Sequence, residues 1–308
     1  LQTTNGISII PDVIFRDTVI LGGVDTATTL NGNVALDGLS FSVARDITFG
    51  DAGVDTISLS GGAVTIATTA NNGSIICKGA VTGGQNCSIT TNGAGTVTFN
   101  GDVTVGATIA SALSINAAAL LLSNGVDIST AGVNGNISFT VDGLALLGTN
   151  TINAGAGAFS ITPRTATYTV EFSPTNTALA TDVFYQSDFS GITAGTFTVG
   201  SATHTGTIYV ATTAMTPSYT LTVQNDETIE VIGSYDASAS NGSLTLDSGA
   251  GGIALNGGTI NLGNGSFTAQ DAVSLGANTT ITANGGIAFQ GIIDADNATN
   301  NRTLTLNS

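Results

Sequence analysis

Short apolar segments with alternating polar positions recur along most of the chain. In the stretch 242–263, GSLTLDSGAGGIALNGGTINLG, three such segments lie around Leu244–Leu246, Ile253–Leu255 and Ile260–Leu262. Alternation with a period of two is the signature of a β-strand. Gly, Asn, Asp and Ser separate the segments, and these residues adopt the backbone angles that tight turns need. The pattern therefore predicts many strands of three to five residues joined by short turns.

The same pattern extends over both halves of the chain. One Ala- and Leu-rich stretch, 107–122, could hold a helical turn, but its Ser-x-Ile spacing and the adjoining repeats favour continued strand. The further predicted strand centres are Ile57–Leu59, Val64–Ile66, Ile75–Ile76, Val97–Phe99, Val103–Val105, Leu113–Ile115, Ile137–Phe139, Phe267, Val273–Leu275, Ile281, Ile287–Phe289 and Leu304–Leu306.

Short strands at this spacing favour a solenoid over other β architectures. Strands in sandwiches and barrels are typically about 5–6 residues long, and the chain lacks the Cys…Trp…Cys pattern of immunoglobulin sandwiches. Three short strands and three turns need about 20–24 residues, which is the length of one coil of a β-helix whose coils stack about 4.8 Å apart. We therefore predict an all-β, right-handed parallel β-helix (β-solenoid) with three short strands per coil and about 14 coils.

The predicted solenoid is continuous, with a less regular middle. We predict regular coils over 1–162 and 237–308, and irregular coils or an excursion from the rod over 163–236. The middle stretch holds all five tyrosines, all three glutamates and three of the four prolines. The chain begins at Leu1 rather than at Met and shows no secretion signal, which is typical of a mature or excised part of a longer protein.

Composition excludes several classes of protein. Hydrophobic residues make up 42% and prolines number only 4, unlike a disordered chain. No run approaches the roughly 20 apolar residues of a membrane-spanning helix. The formal net charge is -16, and five Lys and Arg residues cannot neutralise a phosphate backbone, so we expect neither nucleic acid nor anionic lipid as a partner. Only 8% of residues are charged, which suits stacked coils because like charges about 4.8 Å apart repel one another.

Two cysteines, Cys77 and Cys87, lie ten residues apart in CKGAVTGGQNC. In an oxidising compartment they could form a structural disulfide, worth about 3 kcal/mol through loop closure. The alternative is a pair of free buried thiols on neighbouring strands. The Gly-rich loop between them favours the disulfide, and the absence of a nearby His or third Cys gives no indication of a metal site.

Parallel β-helices include polysaccharide lyases and glycoside hydrolases, so the chain could carry catalytic carboxylates. Hydrolysis of a glycoside needs two carboxylates that face a cleft. Asp side chains also form hydrogen bonds to their own backbone in turns, and we interpret these aspartates as turn residues. We therefore predict no catalytic residue. His204, the only histidine, is predicted to be a solvent-exposed turn residue rather than a base. The candidate carboxylates are Asp46, Asp51 and Asp55, or Asp294 with Asp296.

Two further ligand classes have weak sequence support. Residues 50–57, GDAGVDTI, nearly match a calcium-binding nonapeptide repeat, so Asp51 and Asp55 are a weak Ca²⁺ candidate. That motif binds Ca²⁺ between successive copies, and only one copy is present; no other cofactor is predicted. A regular Thr-x-Thr ladder would favour ice binding, but the Thr positions drift with variable turn lengths along the sequence.

One stretch resembles a known family. Residues 188–210, DFSGITAGTFTVGSATHTGTIYV, resemble a repeat of filamentous-haemagglutinin-like adhesins. The resemblance implies a β-helical fibre that is exported by two-partner or autotransporter secretion to the bacterial cell surface. The cysteine pair departs from that family, whose passengers usually have few or none. The residues that carry the resemblance are Phe189, Ile192, Gly195, Thr198, Val199, Gly200, Gly206, Ile208 and Val210.

Together these observations predict a structural segment of a secreted bacterial surface adhesin or fibre. It would act as a stiff extracellular rod that displays binding loops, with a glycan or protein on a host or neighbouring cell as its partner. One alternative is a carbohydrate-active β-helix enzyme. A second is a self-assembling fibre or surface-layer subunit that associates end to end through exposed terminal coils, where unpaired strand edges template addition.

Overall fold

The computed structural model describes residues 7–9, 12–21, 27–106, 112–130, 132–173, 182–185, 191–210 and 219–308. The protein is all-β, and its parallel strands stack as a β-solenoid of about 11 turns. This confirms the predicted fold class. The chain divides into two compact units, 1–159 and 160–308.

Strands of the first unit follow one another around three stacks, because each strand pairs in parallel with a strand about one coil further along the chain. They are β1 (Ile7–Ile9), β2 (Val13–Phe15), β3 (Val19–Leu21), β4 (Thr28–Leu30), β5 (Val34–Asp37), β6 (Ser40–Val43), β7 (Ile47–Phe49), β8 (Thr56–Ser60), β9 (Val64–Thr68), β10 (Ile75–Cys77), β11 (Ala80–Thr82), β12 (Cys87–Thr90), β13 (Thr96–Phe99), β14 (Val103–Thr104), β15 (Leu113–Leu122), β16 (Asp127–Ser129), β17 (Ile137–Leu146) and β18 (Thr151–Asn153); β19 (Ala158–Thr162) spans the division between the units.

Three parallel ladders organise this unit. The first stack is β1-β4-β7-β10-β13 and continues into the second halves of β15 and β17. The second stack is β2-β5-β8-β11-β14-β16-β18. The third is β3-β6-β9-β12 and continues into the first halves of β15 and β17.

The ten-residue strands β15 and β17 turn the corner between the third and first stacks without a break. Leu113 pairs with Cys87 of β12, whereas Leu120 of the same strand pairs with Val97 of β13. Residues 113–122 contain no Gly or Pro, and β17 runs through the same corner although it contains Asp142 and Gly143. The strand interpretation of this stretch is confirmed for 113–122, and residues 107–111 lie outside the described part of the chain.

The second unit also has three parallel stacks. They are β21-β20-β24-β26-β29-β32-β35, β27-β30-β33-β36 and β23-β25-β28-β31-β34. A short 3₁₀ turn covers Gly249–Gly251. The strands are β20 (Val170–Ser173), β21 (Asp182–Tyr185), β22 (Ile192–Thr193), β23 (Thr196–Gly200), β24 (Ile208–Val210), β25 (Thr220–Gln224), β26 (Ile229–Val231), β27 (Tyr235–Asp236), β28 (Leu244–Asp247), β29 (Ile253–Leu255), β30 (Thr259–Asn261), β31 (Phe267–Ala269), β32 (Val273–Leu275), β33 (Thr279–Thr282), β34 (Ile287–Phe289), β35 (Ile293–Ala295) and β36 (Leu304–Asn307).

The core of each unit follows directly from the period-two pattern. Inward residues such as Ile66 and Phe99 in the first unit, and Leu246 and Phe267 in the second, are fully buried. Their neighbours along the strand point outward and are half-buried. Because inward positions of successive coils lie in register, each apolar layer is covered by the next, and burial of this surface is the main stabilising contribution.

The predicted number of about 14 coils was too high. Equivalent positions lie 19 residues apart at Thr28 and Ile47 but 28 apart at Ile47 and Ile75. Val170 pairs with Ile208, 38 residues away, and an extra parallel strand begins at Asp182, the register partner of Val170. Longer coils and this insertion reduce the number of turns. Residues 174–181, 186–190 and 211–218 of the predicted irregular stretch lie outside the described residues, so its irregularity stays a prediction.

Candidate interaction surface

One outward face of the second unit carries two columns of hydroxyl side chains. Thr198, Thr222, Thr245 and Thr268 are register partners in four successive coils. In the parallel column, Thr196 pairs with Thr220, and the Ser266 hydroxyl donates to the Ser243 hydroxyl at 3.0 Å. We call this surface the hydroxyl array; its members are Thr196, Thr198, Thr220, Thr222, Ser243, Thr245, Ser266 and Thr268.

The hydroxyl groups of the array are regularly spaced both along the strands and from coil to coil. Neighbouring coils are about 4.8 Å apart and residues i and i+2 of a strand are about 6.7 Å apart. All eight members are uncharged, and an inward apolar residue anchors each strand between them, as in Phe197 and Leu221. The array therefore offers repeated donors, acceptors and methyl groups in fixed positions.

The third stack of the first unit has a similar outward surface. Its first column is Ser40, Thr65, Ser88, Ser114 and Ser138, which are register partners in successive coils. Its second column is less uniform and runs through Ser42, Ala67, Thr90, Asn116 and Thr140.

The expectation that Thr positions drift with turn length is wrong for these columns. Variation in coil length is absorbed in the corners, as in the longer connections 50–55 and 69–74 on either side of β8 and β9, while the strands themselves keep their register. The columns had a usable sequence signal, namely a hydroxyl residue between two apolar ones in Phe-Thr-Val, Leu-Thr-Val, Leu-Thr-Leu and Phe-Thr-Ala. What the sequence lacked was the alignment of these segments with one another.

The weak calcium candidate forms a turn in the structure. One carboxylate oxygen of Asp55, Oδ2, accepts the backbone N–H groups of Asp51 and Ala52 at 2.8 and 3.0 Å. These hydrogen bonds lower the pKa of the Asp55 carboxyl, since they stabilise its charged form. Across the described part of the chain, no group of three or more His, Cys, Asp or Glu side chains is placed to hold a metal ion.

The other candidate carboxylates also bond to nearby structure. Asp46 accepts the Ser74 N–H at 2.8 Å from the next coil, and Asp294 accepts the N–H of Ala295 at 2.8 Å. Arg302 forms an ion pair with Asp296 at 2.9 Å. Hydrogen bonds from Arg302 and Asn300 lower the Asp296 pKa to about 2. The structure therefore shows each of these carboxylates in a turn, a ladder or an ion pair.

The predicted Cys77–Cys87 disulfide is not formed, and both residues are free buried thiols in the structure. Cys77 lies in the first stack between Phe49 and Phe99, whereas Cys87 lies in the third stack between Val64 and Leu113. The nine residues between the cysteines include all of β11, so they cross one side of the coil rather than closing a single turn. Each thiol occupies an apolar core position.

We expect both thiols to resist alkylation while the chain is folded. Burial raises the pKa of Cys87 to about 12 and raises that of Cys77 further, so almost no thiolate exists at pH 8. Iodoacetamide treatment followed by mass spectrometry should add no group to the native chain and two groups after denaturation. Ser88→Cys, one residue further on and facing outward, is the matched control and should be modified in the folded state. Rapid modification of native Cys77 or Cys87 would contradict this placement.

His204 lies in a turn as predicted, but the prediction of solvent exposure is wrong. Its side chain is only 1% exposed. Its backbone N–H donates to the Ser201 carbonyl at 3.0 Å, and its carbonyl accepts the Asp226 N–H at 2.8 Å, which fixes it in the corner between β23 and β24. Burial lowers the His204 pKa, and the backbone of Tyr168 beside the ring acts in the opposite direction.

We expect the second unit to lose stability as the pH falls below about 6.5, the ordinary pKa of histidine. Because the folded pKa is lowered, the unfolded chain binds a proton first, and the stability present above pH 6.5 is lost as the pH falls toward the folded pKa. Urea midpoints measured by circular dichroism between pH 7.5 and 5.5 should decrease. His204→Asn, which removes the only histidine, should flatten the dependence over this range. A midpoint that is equally pH-sensitive in that variant would refute the assignment.

The stacked strands and outward columns define the chain as a β-solenoid repeat protein. Comparison with protein-family models, with curated proteins and with solved structures gives no match. Within the described residues, no helix is long and apolar enough to span a membrane. The segment that resembles an adhesin repeat contains β22, β23 and β24, and its Phe189 lies outside the described residues.

Proposed function

We propose that this chain is a structural segment of an extracellular bacterial adhesin or fibre, in which a stiff solenoid displays a binding surface. The hydroxyl array is the observation that carries the proposal. It presents eight uncharged hydroxyl groups on successive coils, over buried apolar residues such as Phe197 and Leu221. The resemblance of 188–210 to filamentous-haemagglutinin-like repeats supports the same assignment.

A neutral, hydroxyl-rich surface favours a glycan on a host or neighbouring cell as the partner. Sugars offer hydroxyl groups that can pair with a regular row of donors and acceptors, and they need no charge on the protein. Each contact would be weak, because the array has neither a charged nor an aromatic side chain among its members. Repetition along the solenoid would multiply such contacts by avidity.

Binding of multivalent protein to intact cells tests this proposal. Beads that carry many copies of the chain should bind bacterial or epithelial cells, and periodate oxidation of cell-surface sugars should reduce that binding about tenfold or more, as expected when avidity is lost. Protease treatment of the cells separates a protein receptor from a glycan. The variant Thr222→Lys/Thr245→Lys should lose binding, because two adjacent members of the array are replaced.

The matched control is Thr259→Lys/Thr280→Lys. These two threonines also pair in adjacent coils of the second unit, but on another stack. The control should bind as the unaltered chain does. Beads that fail to bind any cell type, or equal losses in the two variants, would contradict a role for the hydroxyl array.

A second candidate function, binding to ice, is favoured by the in-register Thr pairs of the same array. Thr196 and Thr198 lie directly beside Thr220 and Thr222, which gives the two-dimensional Thr-x-Thr arrangement that ordered water could match. The test is thermal hysteresis and inhibition of ice recrystallisation by the monomer. Activity that disappears in Thr222→Lys/Thr245→Lys would select this function, whereas no activity at millimolar protein would exclude it.

A further inference from the structure

A third outward column borders the hydroxyl array on one side. Strand β28 continues beyond Thr245 to Asp247, which faces outward like Thr245 and is half-buried. Its register partner in the preceding coil is Gln224. The corresponding residue of the next coil is Gln270, whose N–H donates to the Leu246 carbonyl at 2.9 Å and so continues the ladder. We call Gln224, Asp247 and Gln270 the acid-amide column.

The carboxylate of Asp247 is held in place and still has a free acceptor. Its Oδ2 atom accepts a hydrogen bond from the Gln224 side-chain amide at 2.8 Å. Among the described residues, no group donates a hydrogen bond to its other oxygen, Oδ1. Residues i and i+2 of a strand are about 6.7 Å apart, so a ligand that contacts Thr245 also lies close to this carboxylate.

The corner that follows the column adds two more carboxylates. A Cβ built on Gly249 would lie 3.1 Å from Oδ1 of Asp226, and the Ser248 N–H donates to Oδ2 of Asp271 at 2.9 Å. Ser248 and Gly249 directly follow Asp247 in the chain. The carboxylates of three successive coils therefore lie along the same edge of the hydroxyl array.

The sequence that contains the array offers no basic residue to offset these charges. Between Arg164 and Arg302 the chain holds eleven Asp and Glu residues and no Lys or Arg. The column on the opposite side of the array, which includes Thr196 and Thr220, is uncharged. The surface therefore has a neutral side and a negative side, which gives it a preference among ligands of different charge.

We propose that the glycan bound by the hydroxyl array carries free amino groups, as in a de-N-acetylated hexosamine polymer, and that Asp247 selects it. This inference rests on the proposed glycan binding and narrows the class of glycan. Sugar hydroxyls would pair with the Thr and Ser side chains, while a protonated amine donates to Oδ1 of Asp247. Such a charge-assisted hydrogen bond is about twice as strong as a neutral one. Glycans with uronate, sialate or sulfate groups would be repelled by the same edge.

Retention of multivalent beads on two matched surfaces tests the inference. One surface carries a glucosamine hexamer, and the other is the same surface after treatment with acetic anhydride, which converts each amine into an uncharged amide. Beads that carry the chain should be retained about tenfold more strongly on the amine surface, as expected for one charge-assisted hydrogen bond. This excess should be smaller in about 0.5 M than in about 0.05 M NaCl, because salt screens the attraction. A surface of polygalacturonate should retain no beads.

Asp247→Asn should remove the excess on the amine surface. The substitution keeps an oxygen that can accept the Gln224 amide, and an unchanged circular dichroism spectrum would verify folding. Glu230→Gln is the matched control, because it removes one charge from an outward position of β26 on another stack. That variant should keep the full excess, which separates a contact with Asp247 from an effect of net charge.

The results distinguish this inference from the proposed function. Equal retention on the amine and acetylated surfaces, lost in Thr222→Lys/Thr245→Lys, would overturn selection by Asp247 and leave glycan binding by the array in place. An excess that falls equally in Asp247→Asn and Glu230→Gln would also overturn it. Beads that bind cells but neither hexosamine surface would overturn the inference alone, whereas beads that bind neither cells nor surfaces would contradict both.

Discussion

Replacing Phe99 by alanine is expected to lower the free energy of unfolding of the first unit by about 3–5 kcal/mol. Phe99 is fully buried at the end of β13, where its register partners are Cys77 in the preceding coil and Leu122 in the next. The truncation removes a large apolar side chain and leaves a cavity between three consecutive layers. In a solenoid each layer contacts only its neighbours, so a defect in one layer also weakens the two coils beside it.

Thr98→Ala is the matched control for this substitution. Thr98 is the adjacent residue of the same strand but faces outward between Ile76 and Leu121. We expect a change within about 0.5–1 kcal/mol, which is typical of an outward cross-strand contact. Urea denaturation followed by circular dichroism measures both variants. Similar effects for the two substitutions would show that the inward and outward assignments of β13 are wrong.

Gly83→Ala is expected to destabilise the first unit by about 2–4 kcal/mol. Gly83 has a φ of 148°, a conformation that residues with a Cβ rarely adopt, and an added Cβ would lie 2.2 Å from the Leu59 carbonyl oxygen of the preceding coil. Its N–H donates to the Thr104 carbonyl of the next coil at 3.0 Å. Since the obstructing atom belongs to the backbone, the coils must separate to accommodate a methyl group.

The neighbouring residue gives a sharp comparison. An added Cβ at Gly84 would meet no atom within 4 Å, and its φ lies outside the positive range. Gly84→Ala should therefore change stability by only about 0.5 kcal/mol, and a small gain would be consistent with a less flexible unfolded chain. If thermal denaturation gave the same midpoint for both variants, the close approach of successive coils at this corner would be refuted.

The period-two pattern was sufficient to predict the fold class and most of the core. Segments such as Val64–Ile66, Val97–Phe99 and Val273–Leu275 are strands whose apolar residues face inward, as alternation requires. The number of coils could not be predicted as well, because turn length is free to vary at each corner. A strand that runs through a corner, as β15 does, also removes a turn that the repeat leads one to expect.

The candidate surface was harder to predict than the fold. Whether Thr222 lies beside Thr245 depends on the register of two coils, and single-sequence patterns do not fix that register. Burial of His204 likewise depends on how the chain folds around a corner, since the local sequence Ser-Ala-Thr-His-Thr-Gly is typical of an exposed turn. Cys77 and Cys87 are close in sequence, but their distribution over two stacks follows only from the strand order.

Distances between spin labels along one outward column test the central claim, that successive coils stack in parallel and in register. A nitroxide at Ser40→Cys would be paired in turn with one at Ser88→Cys, Ser114→Cys or Ser138→Cys; the buried Cys77 and Cys87 should remain unlabelled. The account predicts backbone separations of about 10, 14 and 19 Å, which increase by one coil spacing at each step. Electron paramagnetic resonance measures these separations. Distances that do not increase in equal steps, or that are shorter for Ser138 than for Ser88, would contradict the solenoid.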